Sequence, residues 1–151
     1  WVDIGSSYLP GELIAAFLWS QLQHAEKITS ERLKIWNYYF NNLLRLQINK
    51  RIQIPNISKI NKHNGHIFFI LLQDLSDRNN FMEYMKKKGI HCVFHYIPLH
   101  NSPYGLQHSK KSGKLLVTNS VAQRLVRCPI WVGLKEEELS FIVSQINSYF
   151  I

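Results

Sequence analysis

Between Glu12 and about Ile48 the chain has neither Pro nor Gly, and apolar side chains return at helical spacing: Leu13, Ala16, Phe17, then Leu22, Ala25, Ile28, then Leu33, Trp36, Phe40, Leu43 and Leu44. Such spacing keeps one side of a helix apolar, and it predicts one long helix or two consecutive ones. Thr29-Ser30-Glu31-Arg32 places capping-type residues in mid-run, so a kink or restart is expected there. Pro10 suits the first helical turn, where its missing amide hydrogen leaves no bond unmade.

Beyond this run the pattern changes to short apolar stretches separated by polar ones. Ile52 and Ile54, ahead of Pro55, predict a short edge strand, and His66 to Gln73 predicts a buried strand. Asp77 is expected to cap a helix running to about Lys88, with Phe81, Tyr84 and Met85 on one face and Gly89 as its stop. Ile90 to Ile97 reads as a strand, and Asn101 to Gly113, which lacks periodicity, as a long loop. Thr118-Asn119-Ser120 predicts the cap of a short helix through Val121, Leu125 and Val126, Arg127 to Ile130 a strand, and Lys135 to Phe150 a closing amphipathic helix with Glu136, Glu137 and Glu138 in its first turn. The expected fold is α/β in the α+β sense: a small sheet of three or four strands with helices on one face, preceded by a long helix packing elsewhere.

With 151 residues and 46% hydrophobic composition the chain has material for one ordinary core, and no disorder signature. No apolar run reaches the ~20 residues of a membrane span. The first residue, Trp1, follows no secretory pattern and reads as an internal cut. Cys92 and Cys128 match no zinc or redox spacing and are expected to be buried free thiols, as in a reducing cytoplasm. The formal charge of +8 attracts phosphates in general. Its lysines and arginines are scattered, without the interleaved aromatics of a stacking platform, so a solvated surface is expected and nucleic acid is not the expected partner.

Two segments concentrate polar chemistry. In His91-Cys92-Val93-Phe94-His95-Tyr96-Ile97-Pro98-Leu99-His100, a strand puts His91 and His95 on one face, and a turn at Pro98 brings His100 back toward them. Three imidazoles are compatible with zinc, but no cysteine or carboxylate completes a recognised spacing; the other readings are an ordinary strand end and the polar rim of a substrate pocket. In Asp3-Ile4-Gly5-Ser6-Ser7-Tyr8-Leu9-Pro10, two hydroxyls and a glycine stand before a helix, an arrangement that serves either as a simple cap or as a phosphate cradle.

These segments, with Ala15-Ala16, Gln21-Leu22, Arg32 and Pro103-Tyr104 at the right order and spacing, resemble the C-terminal part of the DegT/DnrJ/EryC1/StrS sugar aminotransferases over nearly the whole chain. The Gly-Ser-Ser-Tyr-Leu-Pro form is most similar to the enterobacterial branch that acts on dTDP-linked 4-keto-6-deoxyhexoses. The resemblance implies the small domain of a fold-type I enzyme dependent on pyridoxal 5'-phosphate, usually a homodimer, that moves an amino group from glutamate to a keto group of a dTDP-sugar. It further implies a dimer- and substrate-contacting segment with the long helix over 1–50, the small domain proper over 51–151, cofactor contacts at Ser7 and Tyr8, and substrate contacts at His95, Tyr96, His100 and Tyr104. Ser7 stands where many members have Asn, and Leu9 where many have Arg. The cofactor lysine and the carboxylate on the pyridine nitrogen belong to a large domain upstream of Trp1, and no lysine here lies in a Ser-x-x-Lys context. No catalytic or metal-ligating residue is therefore assigned, and the chain alone is not expected to transaminate. A non-catalytic remnant and a stand-alone basic binding module are the alternative readings.

Overall fold

The computed structural model of the protein describes residues 8–58, 60–110 and 113–151. Two consecutive helices open it, α1 (Glu12–Leu22) and α2 (Ala25–Ile48). The break falls at Gln23 and His24, not at Thr29-Ser30: Gln23 N–H donates to the Trp19 carbonyl at 3.3 Å and His24 N–H to the Gln21 carbonyl at 3.0 Å, tightening the last turn of α1. Gly11 occupies the cap of α1, so Pro10 precedes the helix instead of sitting in its first turn.

The second half of α2 enters the core. Ile35, Trp36, Tyr39, Leu43 and Leu46 are buried on one side of it, and the Tyr39 ring stacks on Phe68 at 5.0 Å while Trp36 meets Phe68 edge-on at 5.4 Å. The buried Tyr39 hydroxyl donates to the Pro129 carbonyl at 2.8 Å, which satisfies the one polar group that this burial would otherwise strand. The expectation that the long helix packs away from the sheet fails for α2, while α1 buries no residue within the chain.

Three short strands follow: β1 (Phe68–Leu71), β2 (Val93–Phe94) and β3 (Leu125–Cys128). β3 is central and antiparallel to both neighbours, with Phe68 opposite Cys128, Ile70 opposite Val126, and Val93 opposite Arg127. Phe68, Ile70, Val126 and Cys128 are buried in one cluster with α2, α3 (Leu75–Lys87) and α6 (Glu136–Tyr149). The segment around Ile52 and Ile54 contributes no full strand. Gln53 alone bridges to Leu71, and Pro55, lacking an amide hydrogen, cannot extend the ladder.

Capping chemistry corrects several boundaries. Asp74, not Asp77, caps α3: its carboxylate accepts from Asp77 N–H at 2.9 Å, and the Asp77 carboxylate in turn accepts from Gln73 N–H at 3.1 Å. Such reciprocal pairing satisfies two amides at a helix start. Gly89, at φ +75°, closes the helix: its N–H donates to the Lys86 carbonyl at 2.9 Å and that of Ile90 to the Met85 carbonyl at 2.9 Å. The expected strand over 90–97 shrinks to two residues, a 3-10 turn (Leu99–Asn101) leads into the expected loop over 101–113, and that loop contains α4 (Pro103–His108). Cys92 and Cys128 are buried and free. Among the described residues no helix is long and apolar enough to cross a membrane.

Candidate functional site

The residues singled out between His95 and Tyr104 lie where the chain leaves β2 and turns into α4. Ser102 organises the turn. Its hydroxyl donates to the Leu99 carbonyl at 2.8 Å and accepts from Gly105 N–H at 3.0 Å, capping α4. A Cβ on Gly105 would stand 1.8 Å from the Leu99 carbonyl oxygen, so only glycine lets α4 lie this close to the 3-10 turn.

α5 (Leu116–Arg124) supplies the other side through Asn119. The Asn119 amide nitrogen donates to the Lys114 carbonyl at 3.2 Å, which fixes the amide's orientation. Its oxygen then accepts from Asn101 Nδ2 at 2.8 Å and meets His100 Nε2 at 2.8 Å. An acceptor in that place requires a proton on Nε2 of His100, which leaves Nδ1 of the neutral ring as an acceptor for an incoming hydroxyl. Asn119 is thus occupied with His100 instead of capping α5, as the sequence predicted. The cap falls to Leu115, whose φ of +45° lies in the left-handed region that an isoleucyl- or leucyl-type side chain adopts only under strain.

His95 is half-buried and meets the Tyr96 ring edge-on at 4.8 Å. Tyr96 is 72% and Tyr104 73% exposed, so both phenols remain free to donate to a ligand. A cleft of about 330 Å³ is lined by Arg78, Phe94, Tyr96, Pro98, Asn101 and Asn119. Arg78 sits 5.3 Å from the Phe94 ring centre and donates to the Ala122 carbonyl at 3.1 Å, and burial lowers its pKa from the usual arginine value. The described lining offers amides, phenol and guanidinium, and neither a carboxylate nor a lysine amine. Such donors suit hydroxyl and phosphate oxygens.

The structure therefore brings His100, Asn101 and Asn119 together and places Tyr96 on the same rim. Tyr104 stacks instead on His108, with 4.2 Å between ring centres. His91 points elsewhere, into a cleft with Arg32, and among the described residues no three His, Cys, Asp or Glu gather as metal ligands. Ser7 lies outside the described residues, and Tyr8 precedes α1 with 92% of its surface exposed. Sequence reasoning missed Asn119 and Arg78 as site residues. Asn119 was visible only as a capping-type residue, and nothing local marks the reach of Arg78 from α3.

The model of the DegT/DnrJ/EryC1/StrS aminotransferase family matches residues 2–147. The GDP-perosamine synthase of Escherichia coli O157:H7 is 25% identical over 151 residues, covering 99% of this chain and 39% of that protein. Among solved structures, PseC of Helicobacter pylori, an aminotransferase involved in the biosynthesis of pseudoaminic acid, superposes with a TM-score of 0.82 at 19% identity, covering 98% of this chain and 39% of that one. NtdA of Bacillus subtilis with bound cofactor PMP gives 0.69 at 21% identity, covering 80% and 28%. The chain thus spans about two-fifths of the length of the curated relatives it matches.

Proposed function

The chain belongs to the DegT/DnrJ/EryC1/StrS aminotransferase family, and from that premise we propose that it forms the C-terminal part of a sugar-nucleotide aminotransferase dependent on pyridoxal 5'-phosphate. The observation that carries the reading is the family match over nearly the whole chain, joined to a cleft whose donors are fixed and mostly uncharged. A stand-alone basic module has no comparable support.

When bound, pyridoxal phosphate supplies an electron sink for amino-group transfer. The described residues of this cleft do not fit a complete cofactor site, because it needs a lysine amine and a carboxylate for the ring nitrogen and the lining offers neither. What these residues do is hold and orient the sugar. The Nε2–H of His100 is committed to Asn119, and its Nδ1 accepts a sugar hydroxyl. Tyr96 donates from an exposed phenol and His95 braces its ring, while Tyr104, outside the lining of this cleft and stacked on His108, is proposed as a separate substrate contact. Ser7 and Tyr8 are assigned to the cofactor phosphate. Residues 1–50 are the segment that contacts the dimer partner and the substrate, and 51–151 the small domain.

The amino donor in this reading is glutamate and the acceptor a dTDP-4-keto-6-deoxyhexose. The acceptor rests on the Gly5 to Pro10 segment, whereas the E. coli relative bears the name of a GDP-sugar enzyme. The intact protein is proposed as a cytoplasmic homodimer. A chimera tests this. The corresponding part of GDP-perosamine synthase is replaced by this chain, and cofactor retention and amino transfer to dTDP- and GDP-linked 4-keto sugars are measured. Retention with turnover of the dTDP-sugar is expected, and Ser7→Ala is expected to weaken retention. A folded chimera that neither retains cofactor nor turns over any keto sugar overturns the reading.

A further inference from the structure

A second cleft, of about 370 Å³, lies at the other end of the sheet, where the chain enters β1 and β2 and leaves β3. Its walls bring together Arg32 from α2, His66 before β1, His91 before β2 and Arg127 from β3, and no carboxylate lines it. Arg32 is fixed there, since its guanidinium donates to the His66 carbonyl.

Arg127 is the unusual member. It stands in the central strand opposite Val93 and is half-buried, with its guanidinium carbon 5.8 Å from the Tyr96 ring centre. Its Nε is the buried side-chain nitrogen or oxygen that lacks a hydrogen-bond partner among the described residues. The ion pair found among them, Lys87 with Glu83, lies on α3, away from this cleft. That buried nitrogen does not face the open cleft, and the guanidinium charge behind it is met by no carboxylate among the described residues. A partly buried charge without a partner is costly, and an anion in the cleft would offset that cost.

We propose that this cleft binds a phosphate-type oxyanion, free or as a monoester, through Arg127 and Arg32. The two positive charges match a dianion, and the planar fork of a guanidinium matches two of its oxygens at once. His66 and His91 stand as further donors at the rim. The proposal rests on a cleft that shares no lining residue with the cleft assigned to the sugar.

The test is a titration of the full chain with inorganic phosphate, followed by the side-chain Nε–H resonances of its arginines, with sodium chloride at matched ionic strength as control. The expected result is a saturable, one-to-one shift of the Arg127 and Arg32 signals in phosphate alone. Arg127→Gln is expected to weaken binding roughly tenfold or more, whereas Arg51→Gln, remote from the cleft, leaves it unchanged. Arg127→Lys retains the charge without the fork and is expected to fall between. If the Gln variant fails to fold, the wild-type resonances and the Lys variant decide. A sugar phosphate run in parallel separates the sources: saturation by it at lower concentration than by inorganic phosphate assigns a monoester, and the reverse a free anion. Linear shifts equal in phosphate and chloride, or saturation by glutarate with none by phosphate, overturn the proposal.

Discussion

Gly105 carries more consequence than its size implies. A methyl group there meets the Leu99 carbonyl oxygen at 1.8 Å, a distance that no rotamer change relieves because both partners are backbone. Gly105→Ala is expected to lower stability by about 3 kcal/mol, within the range of overpacking, and to detach α4 from the 3-10 turn. Denaturant unfolding checks the first effect, and loss of the His100 to Asn119 contact in side-chain NMR checks the second. Titration of buried groups gives a different kind of prediction. Burial raises the Cys92 thiol from 9.0 to about 12, and burial together with the hydrogen bond to Asp77 raises the Tyr149 phenol from 10.0 to about 12. Both groups bind their protons more tightly folded than unfolded. The stability this confers is complete below about pH 9 and is lost as pH climbs toward about 12. The urea midpoint is expected to hold from about pH 7 to about pH 8.5 and then to fall, with a shallower fall in Cys92→Ala and in Tyr149→Phe. A midpoint flat through the alkaline range contradicts this. Residue roles of this kind were the least legible in the sequence: Asn119 has the signature of a cap and serves His100, and Gly105 sits in a stretch without periodicity.

At the scale of elements, legibility followed how far each segment buries one face. α2, α3 and α6 place their buried residues at helical spacing and β1 is an apolar run in the core, so periodicity located these four to within a few residues, whereas β3 carries Arg127 in its middle and begins at Leu125 and Val126, where the pattern predicts the end of a helix. The misses lie where hydrogen bonds decide. The break before α2 is made by backbone bonds at Gln23 and His24, and α4 is held by one serine and one glycine, neither of which gives a periodic signal. β2 is two residues long because only Val93 and Phe94 pair with β3 before the chain turns toward Pro98. The cap of α3 is the element-scale prediction. Asp74→Ala removes the acceptor of the Asp77 amide and is expected to cost about 1 kcal/mol, measured by thermal or urea unfolding. Asp74→Asn, which keeps an acceptor oxygen, is expected to recover most of that loss.

At the scale of the molecule, α1 stands apart from the core. Leu13, Ile14, Phe17, Leu18, Trp19 and Leu22 are all exposed on two turns and a half of helix, an apolar surface that monomeric proteins rarely leave uncovered. In the proposed enzyme such a surface faces further polypeptide. In the isolated chain it is free to meet another copy of itself. The formal charge of +8 opposes that encounter at low ionic strength, and salt screens the repulsion while leaving the apolar attraction intact. Self-association is therefore expected to rise with both protein concentration and sodium chloride, the reverse of what contacts held by charge would do. Sedimentation equilibrium measures it directly. Phe17→Ser with Leu18→Ser is expected to return the weight-average mass to that of one chain at every salt concentration, with helix content by circular dichroism nearly unchanged, because neither side chain is buried in the fold. A wild-type chain that stays monomeric in high salt, or a double variant that associates as strongly as wild type, excludes α1 as the associating surface.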